Sequence, residues 1–317
     1  MQIDLSDSRL YRGVSQCSPE QGGFLVLSRM SDKLKALYSY SEAAMIRACC
    51  TTGVRLVFET DSAWLHLRWR TLRMARDVHS CDIEVDGFSV LTCQPENSGG
   101  ERQIRAELPG KGLRKVTLYL PHLCELRLLS IELAEHSSVR TVVEKRRRLL
   151  LTGDSILQGM TTTSPVRAYG TALARAFDLD YLNIAVGGAV MNGAVAEAAA
   201  ELPWDIALVA FGVNDCNQGV GLEAEAIQTE ATLRVLTSTG RKVVLLTPLP
   251  WPGRGDKDLE SYIACQKNVA NKFPGVTVLH GYDAVSIDQE NFIDSCHPND
   301  LGNRKIAEYL IQTISCF

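Results

Sequence analysis

Two regimes of hydrophobic patterning divide the chain. Through about residue 135, apolar and polar residues alternate in short runs such as Val54-Arg55-Leu56-Val57-Phe58 and Trp64-Leu65-His66-Leu67-Arg68-Trp69-Arg70. That is the period of half-buried strands. Cys81–Val85 and Phe88–Leu91 flank Asp86-Gly87, a dipeptide that predicts a tight hairpin because both turn positions need positive φ. Val116–Leu120 and Leu126–Ile131 supply further strands. Short strands with turns between them predict a β-sandwich or jelly roll.

The second half alternates on a longer scale. Apolar runs at Leu149–Thr152, Tyr181–Ile184, Ile206–Phe211, Val243–Thr247 and Val276–Leu279 read as buried strands. Helical stretches lie between them at Tyr169–Phe177, Asn192–Leu202, Leu222–Ser238 and Leu259–Phe273. Alternating β and α units predict a parallel sheet covered on both faces. Polar residues at Glu135–Lys145 interrupt the pattern, which places the domains at 1–140 and 141–317. No internal repeat or low-complexity segment is found.

Composition narrows the function classes. The 317 residues suffice for two cores, and 45% hydrophobic with 22% charged residues is the balance of a globular protein. A net charge of −4 argues against a general nucleic-acid binder. The basic run Lys145-Arg146-Arg147-Arg148 reads as a solvated lead into a strand rather than a nucleic-acid patch. No apolar stretch approaches a membrane span, and Met1–Leu10 is too polar for the core of a signal peptide. The ten cysteines form no CxxC pair, so no structural metal is expected, and their scatter through apolar segments suits buried thiols in a reducing, cytoplasmic compartment.

Four short segments carry candidate chemistry, each following a strand or preceding a helix: Gly153-Asp154-Ser155, Val186-Gly187-Gly188-Ala189, Gly212-Val213-Asn214-Asp215, and Asp294-Ser295-Cys296-His297-Pro298. In a parallel sheet they share the carboxyl edge, where open α/β sheets hold their sites. Serine acyl transfer needs a nucleophile, a base, a group orienting the base and donors for the oxyanion. Ser155 can attack, His297 can take its proton, and Asp294 can reach the other ring nitrogen. Gly188, the Asn214 side-chain amide and the Ser155 backbone N–H can serve as oxyanion donors. The Gly187-Gly188 pair leaves the register of the second segment open by one residue, with Gly188 preferred. Taken singly, each has an ordinary reading, such as Ser155 in a capped helix start or His297-Pro298 in a turn. The other histidines lack a nameable partner, and His66 belongs to an alternating strand. Trp251, in a Pro-rich loop after the fourth strand, can line the substrate site or pack the loop.

In their order, and in each lying at a strand end or helix start, these segments resemble the blocks of the SGNH (GDSL-type) hydrolase superfamily over roughly residues 146–317. The resemblance implies a flavodoxin-like three-layer sheet, a metal-free and cofactor-free hydrolysis, and the roles above for Ser155, Gly188, Asn214, Asp294 and His297. A β-sandwich ahead of such a domain looks like the two-domain carbohydrate esterases, although the first half carries no sharp motif. Trp64 and Trp69, five apart on one strand, fall on opposite faces and cannot form one sugar-stacking platform. Bracing is therefore the expected role of the front domain. The function expected is a serine esterase acting on short acyl esters, chiefly O-acetyl groups of a carbohydrate or related small molecule, through an acyl-enzyme. A lipase or thioesterase for longer chains and a non-catalytic carbohydrate-binding protein on the same fold are the alternatives. A histidine base acts only when neutral, so activity is expected to fall below about pH 6–7. Nothing in the pattern sets the oligomeric state.

Overall fold

The computed structural model describes residues 1–98, 100–143, 146–254 and 256–314; Lys145 and Cys316, singled out above, lie outside the described residues. The chain forms two compact units. The first comprises Met1–Ser31, Cys49–Lys145 and Thr163–Val166, and the second Asp32–Ala48, Arg146–Thr162 and Arg167–Phe317. Where the sequence pattern places one cut at 140/141, residues 32–48 thus pack with the second unit. They carry two helices absent from the pattern-based reading, Asp32–Ala36 and Glu42–Cys49, of which the first packs on the helix Gly193–Ala200. Both are short and bury only Leu34, Ala44 and Ala48, too few positions to register as a helical stripe.

The first unit is a sandwich of two six-stranded antiparallel sheets. In the strand Trp64–Met74, exposure alternates from Trp64 through Trp69, with Leu65, Leu67 and Trp69 buried in the core. Trp64 points away from that core, under the guanidinium of Arg105 at 4.1 Å. The two indoles are therefore on opposite faces, as their spacing predicts. The strands Cys81–Val85 and Ser89–Cys93 pair antiparallel around Asp86 and Gly87, whose φ values of 52° and 79° are those the hairpin requires. The strand Glu101–Glu107, which pairs with Trp64–Met74, is missed by the pattern. Its residues are mostly polar and only Ile104 and Ala106 reach the core.

The second unit carries a five-stranded parallel sheet with the order Asp180–Asn183, Arg148–Gly153, Ile206–Ala210, Lys242–Leu246, Val276–Leu279. In chain order this is 2-1-3-4-5, the doubly wound, flavodoxin-like arrangement. Leu149, Leu151, Ile206, Leu208, Val244 and Leu246 share one core with Tyr169 and Leu173 of the helix Tyr169–Ala176 and with Ile306 and Leu310 of the helix Asp300–Thr313. Leu150, Ala207, Val209, Val243 and Leu245 alternate with them and are equally buried. The helices Gly193–Ala200, Leu222–Ser238 and Asp256–Ala270 pack on one another to form the other layer. Burial on both faces explains why these strands read as continuous apolar runs instead of alternating ones. At the sheet's entry, Arg146 and Arg148 of the basic run pair with Asp178 and Asp180 at 2.8 and 2.9 Å. No helix of the described residues is long and apolar enough to cross a membrane.

Candidate active site

The order 2-1-3-4-5 reverses direction between the first and third strands, and a crevice opens at the carboxyl ends of such strands. Ser155 follows the first strand and Asn214 the third. The Gly187-Gly188 pair follows the second, and the Asp294–His297 loop precedes the last helix. The topology thus brings to one edge segments that lie up to 142 residues apart in sequence.

Ser155 is the first residue of the short helix Ser155–Gln158. Asp154 is the N-cap, its Oδ1 accepting from the Ile156 N–H at 2.9 Å. A first-turn N–H has no intrahelical acceptor, so the Ser155 N–H remains available as a donor beside its own hydroxyl. The Ser155 Oγ is 2.9 Å from His297 Nε2. His297 Nδ1 lies 2.9 Å from Asp294 Oδ2 and 3.1 Å from Oδ1. These distances suit a hydroxyl donating to a neutral imidazole whose Nδ1–H is fixed by a carboxylate.

The Asp294 loop is locally determined. Asp294 Oδ1 accepts from the backbone N–H of Cys296 at 2.8 Å and of His297 at 2.7 Å, a turn built by the carboxylate itself. Partial burial pushes its carboxyl up, but these N–H donors and the imidazole more than offset that and hold it below the usual carboxylate range. The segment after His297 is pinned by Asn303, whose Nδ2 donates to the Pro298 carbonyl at 3.1 Å, and by Thr161, whose Oγ1 donates to the same carbonyl at 2.7 Å.

Across the crevice, Gly188 has φ of 82°, a left-handed conformation that glycine adopts without strain. The Gly187 N–H donates to Gln158 Oε1 at 2.7 Å, whereas the Gly188 N–H has no acceptor among the described residues. Of the pair left open by sequence, Gly188 is therefore the one with a donor to offer. Asn214 stands on the short helix Val213–Asn217, and its Nδ2 gives one hydrogen to the Ala189 carbonyl at 3.2 Å. An amide nitrogen carries a second hydrogen for the site. Gly212, just before this helix, has φ of 124°, and a Cβ there would stand 2.4 Å from Pro248 Cγ and 2.9 Å from Gln266 Nε2. Only glycine fits that approach.

Carboxyls behind the site carry raised pKa values. Asp154 is buried and pushed up to about 7 by desolvation, with the nearby Asp215 adding to the rise. Asp215, whose Oδ1 accepts from the Met191 N–H at 2.8 Å, stands beside Glu225, and burial raises both. Glu225 is pushed up to about 8, firstly by burial and then by the Asp215 charge. Glu225 Oε1 accepts from Gln266 Nε2 at 2.8 Å, and the same nitrogen lies 3.2 Å from the Phe211 carbonyl, one residue before Gly212. This polar cluster braces the turn that leads into the helix carrying Asn214.

Trp251 is half-buried at the same edge. It packs against Cys216, Leu259 and Tyr262, with the Arg254 guanidinium 5.2 Å from its ring centroid. Its loop is tied to the Asp294–His297 loop by the Gly253 N–H donating to the Ser295 carbonyl at 2.8 Å. Gln158, Gln218, Glu225 and Gln266 were not singled out from sequence. Gln158 alone left a local signal, three residues past Ser155 on the same helical turn.

Residues 151–305 match the GDSL-like lipase/acylhydrolase family. The second unit carries a GDSL-like acylhydrolase domain. With that domain the chain is a carboxylic ester hydrolase of the SGNH type. No curated protein matches the chain by sequence. Similar solved structures include the salicylyl-acyltransferase SsfX3 from a tetracycline biosynthetic pathway, 21% identical with a TM-score of 0.84, covering 97% of this chain and 94% of that one. A family two carbohydrate esterase from Cellvibrio japonicus is 14% identical with a TM-score of 0.65, covering 98% and 97%. An acetyl xylan esterase from the rumen bacterium Butyrivibrio proteoclasticus is 16% identical with a TM-score of 0.59, covering 98% and 96%. At these identities the likeness is one of fold, and it extends through the sandwich as well as the GDSL-like domain.

Proposed function

We propose that this acylhydrolase is a serine esterase that removes short acyl groups, chiefly O-acetyl, from a carbohydrate or related small molecule. The observation that carries the reading is the relay from Ser155 Oγ through His297 to Asp294, with steps of 2.9 Å each. In the proposed reaction His297 Nε2 takes the Ser155 proton as Oγ attacks the ester carbonyl. The oxyanion is received by the N–H groups of Gly188 and Ser155 and the amide of Asn214. Collapse of this intermediate releases the alcohol, which takes the proton from His297. Water, deprotonated by His297, then attacks the acyl-enzyme and frees the acid and Ser155. Asp294 stays ionised throughout and stabilises the imidazolium.

The carbohydrate part rests on the two-unit layout shared with the carbohydrate esterase and acetyl xylan esterase named above. Ser155→Ala is expected to abolish hydrolysis of p-nitrophenyl acetate, and native-rate turnover by that variant would sink the mechanism. A series of p-nitrophenyl esters tests the acyl group. A maximum at acetate supports the reading, and a maximum at long chains replaces it with a lipase. Acetate release from a panel of acetylated sugars identifies the alcohol side.

A further inference from the structure

The Gly187-Gly188 pair presents four backbone polar groups, and three are held. The Gly187 N–H donates to Gln158 Oε1 at 2.7 Å, the Gly187 carbonyl accepts from Arg47 Nη1 at 3.0 Å, and the Gly188 carbonyl accepts from Gln218 Nε2 at 2.9 Å. The fourth, the Gly188 N–H, is the oxyanion donor of the proposed mechanism. It belongs to the same peptide group as the Gly187 carbonyl, so whatever grips that carbonyl sets the direction and strength of the N–H at the other end.

We propose that Arg47 is a positioning residue for this reaction: its guanidinium, bound to the Gly187 carbonyl, aims and polarises the Gly188 N–H that receives the oxyanion. A guanidinium remains charged at all working pH values, and a charge-assisted hydrogen bond is stronger than a neutral one. Drawing electron density onto the carbonyl oxygen increases amide resonance and leaves the N–H a better donor, as in cooperative hydrogen-bond chains. The charge is also well held. Gln158, fully buried, accepts the Gly187 N–H and with Nε2 donates to the Arg47 carbonyl at 2.9 Å, so one side chain on the nucleophile's helix clasps both partners. The guanidinium lies against bare backbone. A Cβ at Gly187 would stand 3.1 Å from Arg47 Cδ, and one at Gly188 3.1 Å from Nη1. Arg47 comes from the helix Glu42–Cys49, outside the family-matched residues 151–305. The segment 32–48 that packs with the second unit therefore supplies part of the oxyanion apparatus.

The inference rests on the proposed roles of Ser155 and Gly188, and full-length Arg47→Ala, Arg47→Gln and Arg47→Lys proteins test it. Steady-state and burst kinetics on p-nitrophenyl acetate are measured beside the affinity of a boronic acid that forms a tetrahedral adduct on Ser155. Removing an oxyanion donor outright costs about 10²–10³ in kcat; an indirect contribution is expected to cost about 10–100-fold in Arg47→Ala, with KM within about twofold. Boronate affinity is expected to fall by the same factor as kcat. Arg47→Lys keeps a cation within reach and is expected to recover part of the loss, whereas Arg47→Gln is not. Unchanged kcat with raised KM, or full activity in Arg47→Gln, overturns the inference. If Arg47→Ala does not fold, as judged by circular dichroism, the comparison of Lys with Gln decides. An active Ser155→Ala protein would instead remove the mechanism on which the inference rests.

Discussion

The two units bury charge in different ways. In the sandwich, Arg114 is 4% exposed, yet its guanidinium donates to the carbonyls of Leu108, Pro109, Gly110 and Ser62. Asp82, fully buried in the same unit, accepts from Thr92 Oγ1 at 2.6 Å and from the Val166 N–H at 2.9 Å. These charges close loops and fasten strands. In the parallel-sheet unit, Asp154, Asp215 and Glu225 are equally buried but face one another's charge, and burial raises all three. The half-exposed Asp294, rich in N–H donors, is instead held below its ordinary range. Well-satisfied charge serves the fold, and strained or repelling carboxyls gather where open α/β sheets place their sites.

Substitutions in the two regions should therefore separate activity from stability. Asp294→Asn is expected to lower kcat on p-nitrophenyl acetate by about 10³–10⁴-fold, because the imidazole loses the group that fixes its tautomer. Its melting temperature should stay close to that of the parent, and a small kcat effect would remove Asp294 from the relay. Arg114→Ala should do the reverse. It leaves four carbonyls without their donor and is expected to cost about 2–4 kcal/mol in urea unfolding, with kcat per folded molecule unchanged.

Glu225→Gln sharpens the contrast through pH. The folded value of about 8 exceeds the ordinary 4.5, so the folded state binds more protons than the unfolded one between those limits. The glutamate's contribution is most favourable below about pH 4.5 and is lost as pH rises through about 8. Glu225→Gln is expected to flatten that decline in unfolding free energy measured from pH 5 to 8.5. An unchanged slope would show that the cluster is not the source. The smallest effect is expected from Trp64→Ala, which removes the stacking of Arg105 on the outer face of the sandwich. A loss of about 0.5–1 kcal/mol with no change in kcat is expected, and a large kcat effect would mean that this face takes part in activity.

Much of the fold is legible in the chain. The parallel strands at Leu149–Thr152 and Val276–Leu279 and the helix Leu222–Ser238 appear as apolar or amphipathic runs within a residue or so of their structural bounds. The hairpin at Asp86-Gly87 is fixed by local backbone preference. Polar strands such as Glu101–Glu107 and the helices of residues 32–48 are not legible, because they are held by pairing and packing with distant residues rather than by their own pattern.

For the candidate site, the sequence by itself determined which groups are offered for the proposed chemistry. Ser155 lies behind a buried strand, Asp294 makes its own turn with His297 three residues on, and glycines stand where backbone must approach closely. These are local properties of a dozen residues. The tertiary structure decided which of them meet, through the 2-1-3-4-5 strand order that gathers them at one edge. It also decided which glycine of the pair has a donor to offer, since Gln158 takes the Gly187 N–H. And it brought Arg47, in a segment without a motif, onto the Gly187 carbonyl 140 residues away. A hydrogen bond at that separation depends on where two backbones come to rest, and no local spacing encodes it.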